Sequence, residues 1–175
     1  MASRPVSVEI YTSSHRILGR VMPGPGGLYR YLNIPTRSSI DVEGAHLSRL
    51  HQPGRLVARY PRLSLSKDDI VAVLLSSRAE IGPVSVPRGG YSTLQQQGVH
   101  ILLPGFELRG IMEAAGKLDF SPYLAETETG FSPLFSAHLE GVPFSDVQAD
   151  TPAMLFNHTL VTGMALLPKE ESPSS

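Results

Sequence analysis

An all-β chain, made of two tandem five-stranded small barrels related by internal duplication, is the fold class this 175-residue sequence predicts. Three observations predict it. The stretch from Val8 to Leu75 can be laid on the stretch from Val99 to Leu166, apolar positions on apolar positions. Short runs of polar–apolar alternation, rich in β-branched and aromatic residues, recur through both stretches. Sixteen Gly and fifteen Pro favour many turns and short strands over long helices.

The alignment holds with an offset of 91, then 92, then 91 again. Val8 meets Val99, Ile10 meets Ile101, Gly19 meets Gly110 and Val21 meets Met112. After one inserted residue, Tyr31-Leu32 meets Tyr123-Leu124 and Ala45-His46-Leu47 meets Ala137-His138-Leu139. After one deletion, Pro61 meets Pro152, Leu63 meets Met154, Leu65 meets Phe156, Ile70 meets Val161 and Leu75 meets Leu166. The gaps fall in turn-like stretches. A unit of about 70 residues lies near the lower limit for an independent core, so two such units gain by packing together.

Taken in order, residues 1–6 read as a loose end and Ser7 to Thr12 as a strand. Ser13-Ser14-His15 reads as a turn and Arg16 to Met22 as the returning strand, bent at Gly19. Pro23-Gly24-Pro25-Gly26-Gly27 must turn. Leu28 to Asn33 forms a helical turn or an extended corner. Ser39 to Leu50 reads as a strand and His51 to Arg55 as a turn. Leu63 to Leu75 holds the last alternation, broken by Ser66 to Asp69, and the all-apolar Ile70–Leu75 reads as a central strand. The domains expected are therefore a first barrel at 7–75, a connector at 76–98, a second barrel at 99–167 and a mobile tail at 168–175. Within the connector, Val84-Ser85-Val86 and Tyr91 are candidates for local packing.

Charge separates the halves. Residues 1–75 carry ten basic and five acidic side chains; residues 76–175 carry five basic and eleven acidic ones. The first barrel is thus basic and the second acidic, which points to unlike partners or to each other. Nine of the ten basic residues in the first half are Arg, the better fork for carboxylate or phosphate. Arg16, Arg20, Arg30, Arg49, Arg55, Arg59 and Arg62, interleaved with Tyr29, Tyr31 and Tyr60, are the candidate partner-binding or nucleic-acid-binding residues.

Catalytic chemistry finds little footing. There is no Cys and no Gly-x-Ser-x-Gly. The six His have no metal-ligand spacing, and the glycine-proline turn lacks the Lys and helix start of a phosphate loop. His46 and His138 hold equivalent places and are the only pair an enzyme reading would use. No cofactor, metal or catalytic residue is expected. No apolar run approaches the ~20 residues needed to cross a membrane, and the opening Met-Ala-Ser-Arg-Pro lacks an apolar signal core. A cytoplasmic protein that does not enter membranes is the expectation.

Two motifs carry a resemblance. Gly105-Phe-Glu-Leu-Arg-Gly110 followed by Ile111, and Ser66-Lys67-Asp68-Asp69-Ile70-Val71, are similar to the second-strand turn and the closing strand of Sm-like (SH3-like) small barrels. With Leu28-Tyr-Arg-Tyr-Leu-Asn33, the second also resembles a small family of uncharacterised bacterial Sm-like-type domains. The resemblance covers both repeats and implies barrels that associate edge to edge. It does not extend to the family's RNA-binding residues. The Asp-x-x-x-Asn loop is missing, and the Arg-Gly position reads Lys67-Asp68 and His158-Thr159.

The function expected is therefore a non-enzymatic interaction or scaffold protein that self-assembles, in one arrangement head to tail, or docks on a protein complex. The alternative is a regulator that binds RNA or single strands through the Arg/Tyr-rich first barrel.

Overall fold

The structure, a computed structural model, describes residues 4–84, 94–114, 116–125 and 130–168. The connector residues Ser85, Val86 and Tyr91, and the tail beyond Pro168, lie outside the described residues. The chain is all-β. Its first half forms β1 (Val6–Thr12), β2 (His15–Val21), β3 (Ser39–Arg49), β4 (Gln52–Ser66) and β5 (Ile70–Leu75). The second forms β6 (Gln95–Leu103), β7 (Phe106–Ala114), β8 (Phe131–Gly141), β9 (Gln148–Asn157) and β10 (Gly163–Leu166). A helical turn follows the second strand of each half: α1 (Gly27–Leu32) and α2 (Ser121–Ala125). β6 begins at Gln95, inside the stretch read from sequence as connector. Among the described residues, no helix is long and apolar enough to cross a membrane.

Among the described residues, ten strands join in one open antiparallel sheet, in the order β10-β6-β7-β8-β9-β5-β1-β2-β3-β4. The chain does not divide into two closed units. Instead β9 of the second half lies against β5 of the first, and β10 and β4 are left as the two ends.

Pairing in the second half recurs at the offsets read from sequence. Val8 pairs with Leu75 and Val99 with Leu166; Ile10 with Val73 and Ile101 with Met164. Leu18 pairs with His46 and Arg109 with His138; Ile40 with Leu65 and Ser132 with Phe156. The irregularities recur as well. Register shifts between Leu18 and Arg20, and between Arg109 and Ile111. In each case the third strand advances three residues while the second advances two, and Gly44 (φ 58°) in β3 and Ser136 (φ 46°) in β8 are the left-handed residues within these bulges.

These bends need their glycines. A Cβ on Gly19 would strike the Val42 side chain and lie 2.9 Å from the Glu43 carbonyl oxygen. One on Gly110 would lie 2.7 Å from Leu134 Cγ. The glycine-proline turn serves a second close approach. Gly27 (φ 80°) and Gly82 (φ 81°) meet face to face, each notional Cβ falling 2.9 Å from the other's Cα. That contact seats α1 against the short 3-10 turn Arg78–Ile81.

One expectation is corrected. His51 to Arg55 is not a loop between two elements: β3 ends at Arg49, β4 starts at Gln52, and the turn is Leu50-His51. The turn-like Pro53-Gly54-Arg55 instead bulges out of the ladder, where register moves from Arg49↔Gln52 to Ser48↔Leu56. An end strand tolerates Pro because one of its backbone sides has no neighbour to serve. Read from sequence, Arg55 to Arg62 carried no strand, yet it is the middle of the longest one.

Among the described residues two apolar cores form, and neither belongs to one half alone. The first gathers Val8, Ile10, Ile17, Val42 and Val73 with Phe131, Phe135, Ala153 and Leu155 of the second half. The other gathers Ile101, Leu108, Met154 and Phe156 with Tyr11, Leu50, Ala72 and Leu74 of the first. Side chains alternate across β5 and β9, so each strand gives one face to each core.

Candidate functional site at the sheet edges

Four backbone pairs define the seam between halves: Ala72↔Phe156, Val73↔Leu155, Leu74↔Met154 and Leu75↔Ala153. Polar side chains stitch its margins. Thr151 Oγ1 donates to the Leu75 carbonyl at 2.8 Å. Buried Asn157 donates to the Ile70 carbonyl at 3.0 Å and accepts from the Thr159 amide at 3.1 Å. Asn33, just past α1, accepts from the Phe131 amide at 2.8 Å and donates to its carbonyl at 3.1 Å. This side chain does for β8 what a neighbouring strand would do. Arg78 reaches across from the 3-10 turn to Glu113 Oε1 at 2.5 Å, its guanidinium 4.0 Å above the Phe135 ring. The ion pair holds the Glu113 carboxyl below its ordinary value. Beside it lies a hollow of about 540 Å³, lined by Tyr29, Ile81, Met112, Tyr123 and Phe135 among others.

The Tyr11 ring also joins the halves. It stands edge-on to Phe106 at 6.1 Å. Its hydroxyl donates to Glu9 Oε1 at 2.6 Å, and the same oxygen accepts from Arg16 Nε at 2.7 Å. Burial, then the bonded Glu9 carboxylate, pushes the Tyr11 phenol well above its ordinary value. A raised phenol pKa gives stability that is fully present below about pH 10, where the unfolded phenol begins to ionise, and is lost as pH rises beyond it. Unfolding followed from about pH 8 to about pH 11 is expected to show a steeper loss for the native chain than for Tyr11→Phe. Equal slopes would show that Tyr11 does not carry this term.

The two ends offer what the seam has already used. β10 holds the place on β6 that β5 holds on β1, and β4 holds the place on β3 that β9 holds on β8. Yet their outer sides meet no strand among the described residues. At the β10 end, Leu102 and Val142 are 40 % and 63 % exposed. Their counterparts at the seam, Tyr11 and Leu50, are each 2 % exposed. The backbone agrees on the equivalence: the Leu50 amide donates to the Ser14 carbonyl, and the Val142 amide to that of Gly105. At the β4 end, Leu56, Val57 and Tyr60 are exposed, and Leu63 and Leu65 stand half-buried against the first core.

Five of the ten residues singled out from sequence lie on this β3–β4 end. Arg49 closes β3, and Arg55, Arg59, Tyr60 and Arg62 lie along β4, all exposed. Arg62 pairs with Asp41, which also accepts from Ser64 Oγ at 2.6 Å; Arg62 and Ser64 together hold the Asp41 carboxyl below its ordinary value. The others are dispersed. Arg16 is engaged by Glu9 and the Pro53 carbonyl. Arg20 lies exposed on β2 and Arg30 exposed on α1. Tyr29 lines the hollow at the seam, and Tyr31 is buried, with Arg37 4.8 Å over its ring. His46 and His138 are separated by four strands, β9, β5, β1 and β2. His138 accompanies Asp150 at 2.8 Å. Among the described residues, no three His, Asp or Glu side chains gather as metal ligands would.

Sequence reasoning passed over Tyr11, Asn33, Thr151 and Asn157. Their types are ordinary in strands and turns, and only the meeting of β5 with β9 gives them work. No family model, curated protein or solved structure matches this chain.

Proposed function

We propose that this chain is a non-enzymatic interaction scaffold, built from two duplicated Sm-like small barrels fused through one edge, whose remaining two edges are its binding surfaces. One observation carries the reading. Each core is completed by side chains of the other half, and among the described residues no strand pairs with the outer side of either sheet end. An edge strand with free N–H and C=O groups is a template for another strand, and proteins that do not use such an edge cover, shorten or twist it. β4 runs fifteen residues with apolar side chains exposed along it. The unlike charge of the halves gives each end a preferred partner and a fixed direction of approach.

The test is an isotope-labelled chain in unlabelled extract of its own cells. Amide signals from β4 and β10 are expected to weaken selectively, while those of β5 and β9 persist. Uniform weakening, or none, overturns the reading. The nucleic-acid alternative rests on the exposed Arg49, Arg55 and Arg59. Titration with single-stranded oligonucleotides at low salt tests it, since phosphate contacts must weaken as salt rises.

A further inference from the structure

We propose that the partner for these edges is a second copy of this chain, with β10 of one copy adding to β4 of the next in the register that β5 and β9 keep inside the chain. The inference rests on the reading of the edges as binding surfaces and names what they bind. The offset of 91 carries the internal register outward. Ala72↔Phe156 becomes Gly163↔Leu65, and Val73↔Leu155 becomes Met164↔Ser64. Leu74↔Met154 becomes Ala165↔Leu63, and Leu75↔Ala153 becomes Leu166↔Arg62.

Three observations support the pairing. The strands to be joined already stand in their own halves in the seam's geometry, so no rearrangement is needed. On one sheet face the apolar complement is present. Leu102 and Val142 take the places of Tyr11 and Leu50, and Leu63 and Leu65 take those of Met154 and Phe156, which share a core with Tyr11 and Leu50. The basic first half of one copy meets the acidic second half of the next, whereas head-to-head contact would set like charges together.

The other face differs. Where the seam has Ala153 and Leu155, β4 has Arg62 and Ser64, both tied to Asp41; where it has Phe131 and Phe135, β3 has Ser39 and Glu43. Only one face of the contact between copies is apolar, so it is weaker than the internal seam and reversible. A head-to-tail contact closes into a ring or runs on as a filament. Each chain brings two five-stranded units, so a closed ring holds an even number of them.

The chain has no Cys, which makes the register directly readable. Met164→Cys and Ser64→Cys are made as separate variants and mixed under oxidising conditions at low salt; Ala165→Cys and Leu63→Cys form a second pair. Adjacent rungs of an antiparallel ladder alternate between Cα spacings of about 4.5 and about 5.5 Å, both within disulfide reach, so the two pairs sample both kinds. The expected result is a disulfide-linked dimer from at least one in-register mixture, well above an out-of-register control of Met164→Cys with Leu56→Cys. Folding of each variant is checked by its amide spectrum. Failure of both folded pairs to exceed the control overturns the inference. If edge signals still weaken in extract, a different protein holds the edges, and the reading of the edges as binding surfaces survives without this partner.

Discussion

Leu155→Ala is expected to lower the stability of the whole chain by about 2–5 kcal/mol, the usual cost of emptying a buried leucine site. Both halves are expected to lose it together. Leu155 belongs to β9 of the second half, but its side chain is fully buried in the first core, with Val8, Ile10, Val73 and Leu75. Tyr11 and Leu74 do the reverse, lending first-half side chains to the second core. Interlocked cores cannot melt one at a time without exposing the other's apolar face. Urea unfolding, followed by methyl signals from each half, is expected to show one transition that Leu155→Ala moves as a unit. Two separate transitions, or a shift confined to second-half signals, would show halves that fold independently.

Gly110→Val is expected to cost at least the ~1–3 kcal/mol typical of an overpacked site. A Cβ there lies 2.7 Å from Leu134 Cγ and 3.0 Å from the Phe135 carbonyl oxygen, and two further methyl groups only add to the clash. The backbone oxygen cannot swing aside as a side-chain end can. The register of β7 on β8 shifts at this glycine, between Arg109 and Ile111. Gly19→Val meets the equivalent obstacle in Val42 and the Glu43 carbonyl. Gly54 is the control: nothing lies within 4 Å of its notional Cβ, so Gly54→Ala is expected to stay within about 0.5 kcal/mol of the native chain. Thermal unfolding of the three variants separates a steric need for glycine from a general loss of strand propensity.

Much of the strand framework was legible in the sequence, because a strand facing a core on one side announces itself by alternation. The offsets of 91 and 92, drawn from pairs such as Val8 with Val99 and His46 with His138, recur in the backbone pairing. The apolar run Ile70–Leu75 was legible as a central strand, since both of its faces are buried. What was not legible was its neighbour. Nothing in the residues of β9 states that it will lie beside β5 rather than close on its own half, because both sites ask for the same apolar alternation.

β4 escaped for the opposite reason. As an end strand it carries Arg55, Arg59 and Arg62 on exposed positions, and charge on an edge hides the pattern by which strands are recognised. The candidate residues fared unevenly on the same grounds. Composition finds a basic half, but only topology separates Arg55, Arg59, Tyr60 and Arg62, which share an open edge, from Tyr31, which is buried.

Sedimentation of the full native chain at rising concentration and low salt tests the central claim most directly. The account predicts a mass that climbs above 18.9 kDa in whole-chain steps, falls back as salt is added, and stays low in a Leu102→Lys/Val142→Lys variant that folds as the native chain does. A native chain that holds 18.9 kDa at every concentration and salt would contradict it.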